Sequence, residues 1–292
     1  MNLTPECAFC IVEHHWRLVK DLPDDSRRME YMREVFRALA ESSDKYSAPI
    51  PTARLQTIYC RMFGIEDPYR EEKRRFNALM LEKMPALKAL CLENPDPLAL
   101  AIWMAMAGNY IDYGILREVD ESRLTQMLAN PDPEAVNARE LAHIREDLSR
   151  AQRVLYALDN CGECVLDRIL LEVMLAQFPH LEITVLARSE NVLNDATVED
   201  ALSVGLDTVG RVIGNGSNIG GTQIEFLGND AREAILGADV VFAKGQGNFE
   251  TLSHSGLNVY FLFLSKCPHY TKWYGLKHMH GALINERRFF SH

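Results

Sequence analysis

The sequence predicts an α/β fold: a three-layer α/β/α core with a mostly parallel sheet, preceded by an all-helical N-terminal domain. Three observations carry this. From residue 1 to about 148, apolar residues recur at helical spacing and no convincing strand is present. After about residue 150, short β-rich runs alternate with helical patterns, as βαβ crossovers require. The chain has 292 residues, enough to bury a full core. The expected division is a helical domain at 1–148 and an α/β domain at 149–292. No Gly/Ser linker separates the halves, so they should pack intimately.

In the first half Met29, Met32, Val35, Phe36 and Leu39 recur at steps of three or four behind a start signal at Asp24 to Ser26. Helical patterns follow at Thr52 to Met62, Tyr69 to Leu92 and Pro97 to Ala107, and the charged EAVNARELAHIREDLSRAQ closes the half. In the second half RVLYAL, EITVLA, TVGRVI, DVVFAK and NVYFLFL read as strands. The intervening helices are expected at Glu163 to Phe178, Val198 to Val204 and Ala231 to Leu236.

Composition narrows the function classes. With 47% hydrophobic and 25% charged residues the chain is an ordinary globular protein. A formal net charge of −10 and a pI near 5.4 provide no cationic footprint for nucleic acid, which is disfavoured as a partner. The longest apolar run, Leu98 to Ala107, is too short for a hydrocarbon layer of about 30 Å, and the N-terminus lacks a basic-then-apolar pattern. A soluble, cytoplasmic protein without a membrane partner is expected. Seven scattered cysteines do not form a disulfide framework, so most should be reduced thiols.

Functional residues in an open α/β sheet gather beyond the carboxyl ends of its strands. Those ends carry DNCGE at 159–163, RSENVLNDAT at 188–197, GNGSNIGGT at 214–222 and KGQGN at 244–248. Asp159, Asn160 and Asp195 suit a hard divalent cation, which takes carboxylate and carbonyl oxygens. They equally suit helix caps at the starts of the helices near Gly162 and Val198. The glycine loop reads either as a tight turn or as backbone that approaches an anion. Lys244 reads either as a solvated strand-end lysine or as a cation facing a phosphoryl group. Cys7 and Cys10 with His14 are candidates for part of a metal or redox site, Cys164 for a small buried hydrophobe, and His278 and His280 for structural or surface residues.

Taken in order, DNCGECVLDRILLE, NVLNDATVEDA and DVVFAKGQGNFETL resemble the damage-control phosphatases, also known as the domain-of-unknown-function 89 family. AGNYIDYG at 107–114 resembles a further motif of that family, and the likeness runs from PECAFC to LSKCP around Cys267. The family form of the first motif is D-N-A-G-E, with Cys161 here in the alanine place. The resemblance implies a helical part on an α/β/α core and a divalent-metal-dependent phosphatase acting on small phosphorylated metabolites, such as sugar phosphates or damaged phosphometabolites. It implies that Asp159, Asn160 and Asp195 hold Mg²⁺, Mn²⁺, Co²⁺ or Ni²⁺, which activates a water for attack on phosphorus.

By the same likeness Lys244 contacts the phosphate, N–H groups around Ser217 share its charge, and Asn109 and Asp112 line the pocket. One departure stands out. The family loop runs closer to N-G-S-D-x-P-G-T, and this chain has Asn218 and Gly220 where Asp and Pro would be. That keeps open a non-catalytic, metal-dependent phosphometabolite-binding protein. An S-adenosylmethionine-dependent methyltransferase would also use such a sheet, but it would want a glycine-rich loop where Asp159 and Asn160 stand.

Overall fold

The structure, a computed structural model, describes residues 1–43, 45–112, 119–132 and 135–290. Its first helices are α1 Pro5–Val19, α2 Asp25–Ala40, α3 Pro49–Phe63, α4 Arg70–Glu93, α5 Pro97–Gly108, α6 Glu121–Ala129 and α7 Ala138–Arg150. Strands and helices then alternate: β1 Arg153–Ala157, α8 Glu163–Gln177, β2 Glu182–Ala187, α9 Val198–Ser203, β3 Arg211–Gly214, α10 Asn229–Leu236, β4 Val240–Lys244, α11 Gly245–Leu252, β5 Val259–Leu264, α12 Pro268–Tyr274, β6 Gly281–Asn285 and α13 Glu286–Phe289.

Local chemistry sets many of these boundaries. Thr4 accepts from the Cys7 N–H at 3.2 Å with Pro5 at the first helical position of α1. Asp24 and Asp96 cap α2 and α5 in the same way, each cap contributing about 1 kcal/mol. The LALAIWMAMAG run of α5 is apolar on every side, and nearly all of it is buried, as an unstriped helix must be. The third strand starts later than its β-rich run suggests. Gly205, in the left-handed region, turns the chain out of α9, and Leu206–Thr208 form a 3-10 turn before pairing begins at Arg211.

The strand order is β3-β2-β1-β4-β5-β6, parallel throughout except for the antiparallel β5–β6 pair. β6 was not anticipated, because GALIN is short and carries a single β-branched residue; pairing with β5 is what makes it a strand. Side chains alternate between two cores. Val154, Tyr156, Val185, Phe242 and Tyr260 face α4, α5 and α8, whereas Leu155, Leu186, Val241 and Phe261 face α10, α11 and α12. α1, α2 and α3 enclose a smaller core around Tyr31, Val35 and Leu55. The main core thus crosses the 148/149 point at which the sequence changes character, with α4 and α5 on one side of it and the sheet on the other. Among the described residues no helix is long and apolar enough to cross a membrane.

Candidate active site

From β1 the chain moves outward to β2 and β3, then returns to β4 and moves the other way, so the connections leaving β1 and β4 diverge and open a crevice. Asp159 and Asn160 follow β1 there, and β4 runs directly into α11. The segment after β2 folds back onto β1. Asn160 and Asp195 form an antiparallel bridge, the Cys161 N–H donates to Asn194 O at 2.8 Å and the Ala196 N–H donates to Asp159 O at 2.7 Å. Asp159, Asn160 and Asp195 therefore share one backbone-clamped corner, and all three line a cavity of about 600 Å³. The facing wall is α1, through Cys7, Cys10, Ile11, His14 and His15, with Trp273 of α12 also lining the cavity.

None of the three caps a helix. α8 begins at Gly162, whose φ of +85° turns the chain sharply with no side-chain cap, and α9 is capped by Thr197 in a capping box with Asp200. The trio bonds elsewhere. Asp159 Oδ2 accepts from Asn109 Nδ2 at 2.9 Å and from Asn160 Nδ2 at 2.8 Å. The same two amides reach Glu163 Oε2 at 2.9 and 3.3 Å. Arg188, wholly buried, donates Nε to Asp195 Oδ2 at 2.8 Å and its terminal nitrogens to Gly221 O and Leu158 O at 3.1 Å each. Among the described residues Asp159 Oδ1 and Asp195 Oδ1 receive no hydrogen bond, and the Arg188 guanidinium comes no nearer to the former than 4.0 Å. Asn160 has engaged its amide hydrogens on two carboxylates, so its carbonyl oxygen is what it offers a ligand.

Beneath the corner, Lys244 is fully buried between Glu163 at 3.0 Å and Asp167 at 2.7 Å. Lys266 donates to Asn109 O and to Asp112. Among the described residues five carboxylates, Asp112, Asp159, Glu163, Asp167 and Asp195, thus meet three cations, Arg188, Lys244 and Lys266. The deficit shows in their titration. Burial, then the charges of Glu163, Asp195 and Asp112, push Asp159 well above the usual carboxylate range. At Asp195 burial outweighs Arg188 and the carboxyl again rises. Asp167 is pushed up to about 6, burial prevailing over Lys244. Burial opposes the Lys244 ammonium, but Asp167 and Glu163 overcome it and hold the group above an ordinary lysine.

An excess of carboxylates over cations among the described residues, with oxygen donors from three residues on one cavity wall, matches what a hard divalent cation needs, so the residues present fit such an ion. Asp159, Asn160 and Asp195 would hold it. Among the described residues no group of three or more His, Cys, Asp or Glu side chains is placed to hold a metal, and in this trio one donor is an amide. Cys7, Cys10 and His14 share the cavity wall without forming a ligand set.

Several expectations change position in three dimensions. Lys244 does not face the cavity, because its ammonium closes a buried ion-pair triad. Asn109 is also fully buried and orients Asp159 from behind, its own Oδ1 fixed by the Leu264 N–H at 3.1 Å, while Asp112 does line the cavity. Tyr113 and Gly114, at the end of the same motif, lie outside the described residues. Ser217 is not part of the cavity wall; its Oγ accepts from the Ile219 N–H within its own loop. Asn218 donates to Ala53 O at 3.0 Å and Thr57 Oγ1 at 3.1 Å, so the departure at this position anchors the loop on α3. His278 and His280 bond Lys266 O and Asp132, away from the cavity.

Sequence reasoning missed Glu163, Asp167 and Arg188, each of which reads locally as an ordinary helix or loop charge. It also missed Gln246, at the start of α11, a helix the sequence reading did not identify. A charged residue inside the apolar CVLDRILLEV run was the one available sign of the buried triad.

Fold and corner together define a doubly wound α/β protein with an acidic, oxygen-donor site at its switch point. A family profile described as the damage-control phosphatase ARMT1-like domain matches residues 3–279, and the chain belongs to that family. It is 32% identical over 301 residues to a damage-control phosphatase of Pyrococcus horikoshii, covering 99% of both chains. A second damage-control phosphatase, from Archaeoglobus fulgidus, is 30% identical over 91% of this chain and 93% of its own. The crystal structure of a DUF89 family protein from Pyrococcus horikoshii superposes with a TM-score of 0.82 at 27% identity, covering 98% of this chain and 99% of that one. These relatives support a phosphatase role.

Proposed function

We propose that this protein is a divalent-metal-dependent phosphatase that hydrolyses phosphomonoesters of small metabolites. The observation that carries this reading is the corner of Asp159, Asn160 and Asp195, set in a cluster whose described carboxylates outnumber its described cations and open to a cavity of about 600 Å³. When bound, Mg²⁺, Mn²⁺, Co²⁺ or Ni²⁺ supplies charge neutralisation for the phosphoryl group and a water of lowered pKa. The chain's own residues prepare that chemistry. Asn109 and Asn160 hold Asp159 Oδ2, and Arg188 holds Asp195 Oδ2, so each carboxylate keeps its Oδ1 for a ligand. The Glu163–Lys244–Asp167 triad ties the start of α8 to the end of β4 and keeps the corner from relaxing.

The test is phosphate release from p-nitrophenyl phosphate and a panel of sugar phosphates. Wild type and Asp195→Ala would be compared after chelation and with each divalent ion restored. Metal-dependent release that the variant loses supports the reading. Metal binding by the wild type with no release from any ester would indicate a binding protein instead.

A further inference from the structure

We infer that the start of α11, with Gln246 as its side-chain donor, cradles the phosphoryl oxygens, and that this uncharged cradle selects phosphomonoesters bearing no second anionic group. The inference rests on the phosphatase reading and adds the residue and the substrate class.

A phosphoryl dianion in this cavity meets no side-chain cation of the usual kind. Among the described residues that line it, none is Lys or Arg. Burial lowers His14 to about 4 and His15 to about 3, so both are neutral imidazoles near pH 7. Lys244, Lys266 and Arg188 are committed to carboxylates behind the wall. Among the described lining residues the phosphoryl oxygens therefore depend mainly on uncharged donors.

α11 supplies such donors. No side chain caps it, and among the described residues the N–H groups of Gly245, Gln246 and Gly247 bond no carbonyl, so the positive end of the helix is unsatisfied. That end lies against the donor corner. Gly245 has a φ of +77°, and a Cβ there would fall 1.9 Å from Asp159 Oδ2, an approach no other residue permits.

Gln246 is the second and independent observation. It is 4% exposed and lines the cavity, and its Oε1 accepts from the Lys266 N–H at 3.3 Å. That bond settles the orientation of the amide and leaves Nε2, which is enclosed and among the described residues has no partner. A buried NH₂ without an acceptor carries the full desolvation cost of an unmade bond, and a phosphoryl oxygen would recover it. A second anionic group on the substrate would find Glu6, Asp112 and Glu250 on the same wall, and among the described lining residues no lysine or arginine to meet it; the Met1 α-amino group there already donates to Glu250 O at 2.9 Å.

The test compares wild type with Gln246→Glu, which keeps an acceptor for the Lys266 N–H while removing the donor, and with Gln246→Met, which removes the donor without adding charge. Inorganic phosphate binding to the Mn²⁺-loaded protein should weaken about tenfold in Gln246→Met and further in Gln246→Glu, the scale of one hydrogen bond to a charged group. Mn²⁺ affinity should stay unchanged in Gln246→Met. Wild type should turn over phenyl phosphate at least about tenfold more efficiently than 4-carboxyphenyl phosphate, although the latter has the better leaving group. Unaltered phosphate affinity in both variants, or equal use of the two esters, would overturn the inference. No hydrolysis of any ester by wild type would instead sink the phosphatase reading, with the phosphate-binding comparison still deciding the role of Gln246.

Discussion

On the sheet side of the cavity Asp159, Asp195, Glu163 and Asp167 are buried as a group whose cations fall short of neutralising them. On the α1 side His14 and His15 are buried with no charge at all. On the α1 wall burial keeps His14, His15, Cys7 and Cys10 neutral. His15 Nδ1 pairs with the Tyr31 hydroxyl, His14 Nε2 lies 3.3 Å from the Tyr69 hydroxyl, and burial raises the thiols of Cys7 and Cys10 so that they stay neutral. The sheet wall keeps a conflict that folding alone would remove. A surface built only for stability resembles the first wall; a surface that retains unneutralised carboxylates is reserved for a ligand.

The strongest way to break this contrast is to discharge the sheet wall. Asp159→Asn or Asp195→Ala should lower phosphate release by about 10²–10³-fold or more, the scale of losing a charge-stabilising group at a reacting centre. Asp159→Asn should also raise the melting temperature of the chelated protein, since it removes one of the repelling charges. A chelated Asp159→Asn that melts below wild type would show that the excess charge is not the stored conflict described here.

Next in size is Lys244→Met. Removing the buried cation leaves Glu163 and Asp167 facing each other, and unfolding by urea should show a loss of about 3–5 kcal/mol. A loss below about 1 kcal/mol would mean that the triad relaxes by taking up protons.

The α1 wall makes a smaller, pH-dependent prediction. His14 and His15 have folded values near 4 and 3, below the ordinary 6.5. Their contribution is fully present above about pH 6.5 and is lost as pH falls toward those values, because the unfolded chain takes up protons that the folded one refuses. For His14 the loss is on the order of 3 kcal/mol. Melting temperature between pH 7 and pH 4.5 should fall more steeply in wild type than in His14→Gln. Parallel curves would refute the assignment. The smallest effect belongs to the thiols. Cys7→Ser with Cys10→Ser should change stability by less than about 1 kcal/mol and leave Mn²⁺ affinity intact, since neither thiol belongs to a ligand set.

How much of this was legible beforehand differs from residue to residue. Asp159, Asn160 and Asp195 could be singled out because strand ends in an open sheet are where sites lie, and their type alone suggested oxygen ligation. Whether they were caps could not be read, because a cap is defined by which N–H its oxygen meets; Gly162 and Thr197 occupy those places instead. Lys244 was placed at the right strand end but on the wrong side of it. Residues along a strand alternate between faces, and the two acids that claim its ammonium belong to α8, a helix that looks merely apolar in sequence.

The sequence by itself determined the class of fold, the order of its strands and helices with the exception of α1, α6, α11, β6 and the last short elements, and the identity of the three oxygen-bearing residues. Periodicity and local propensity depend on near neighbours, which a sequence displays. Tertiary structure alone decided that Arg188, Glu163 and Asp167 surround that trio, that α1 forms the opposite wall, that Ser217 stands apart from the cavity and that Gln246 has an unmatched donor. Those are pairings between residues tens of positions apart, and each depends on which groups burial brings together and how much charge it leaves uncompensated.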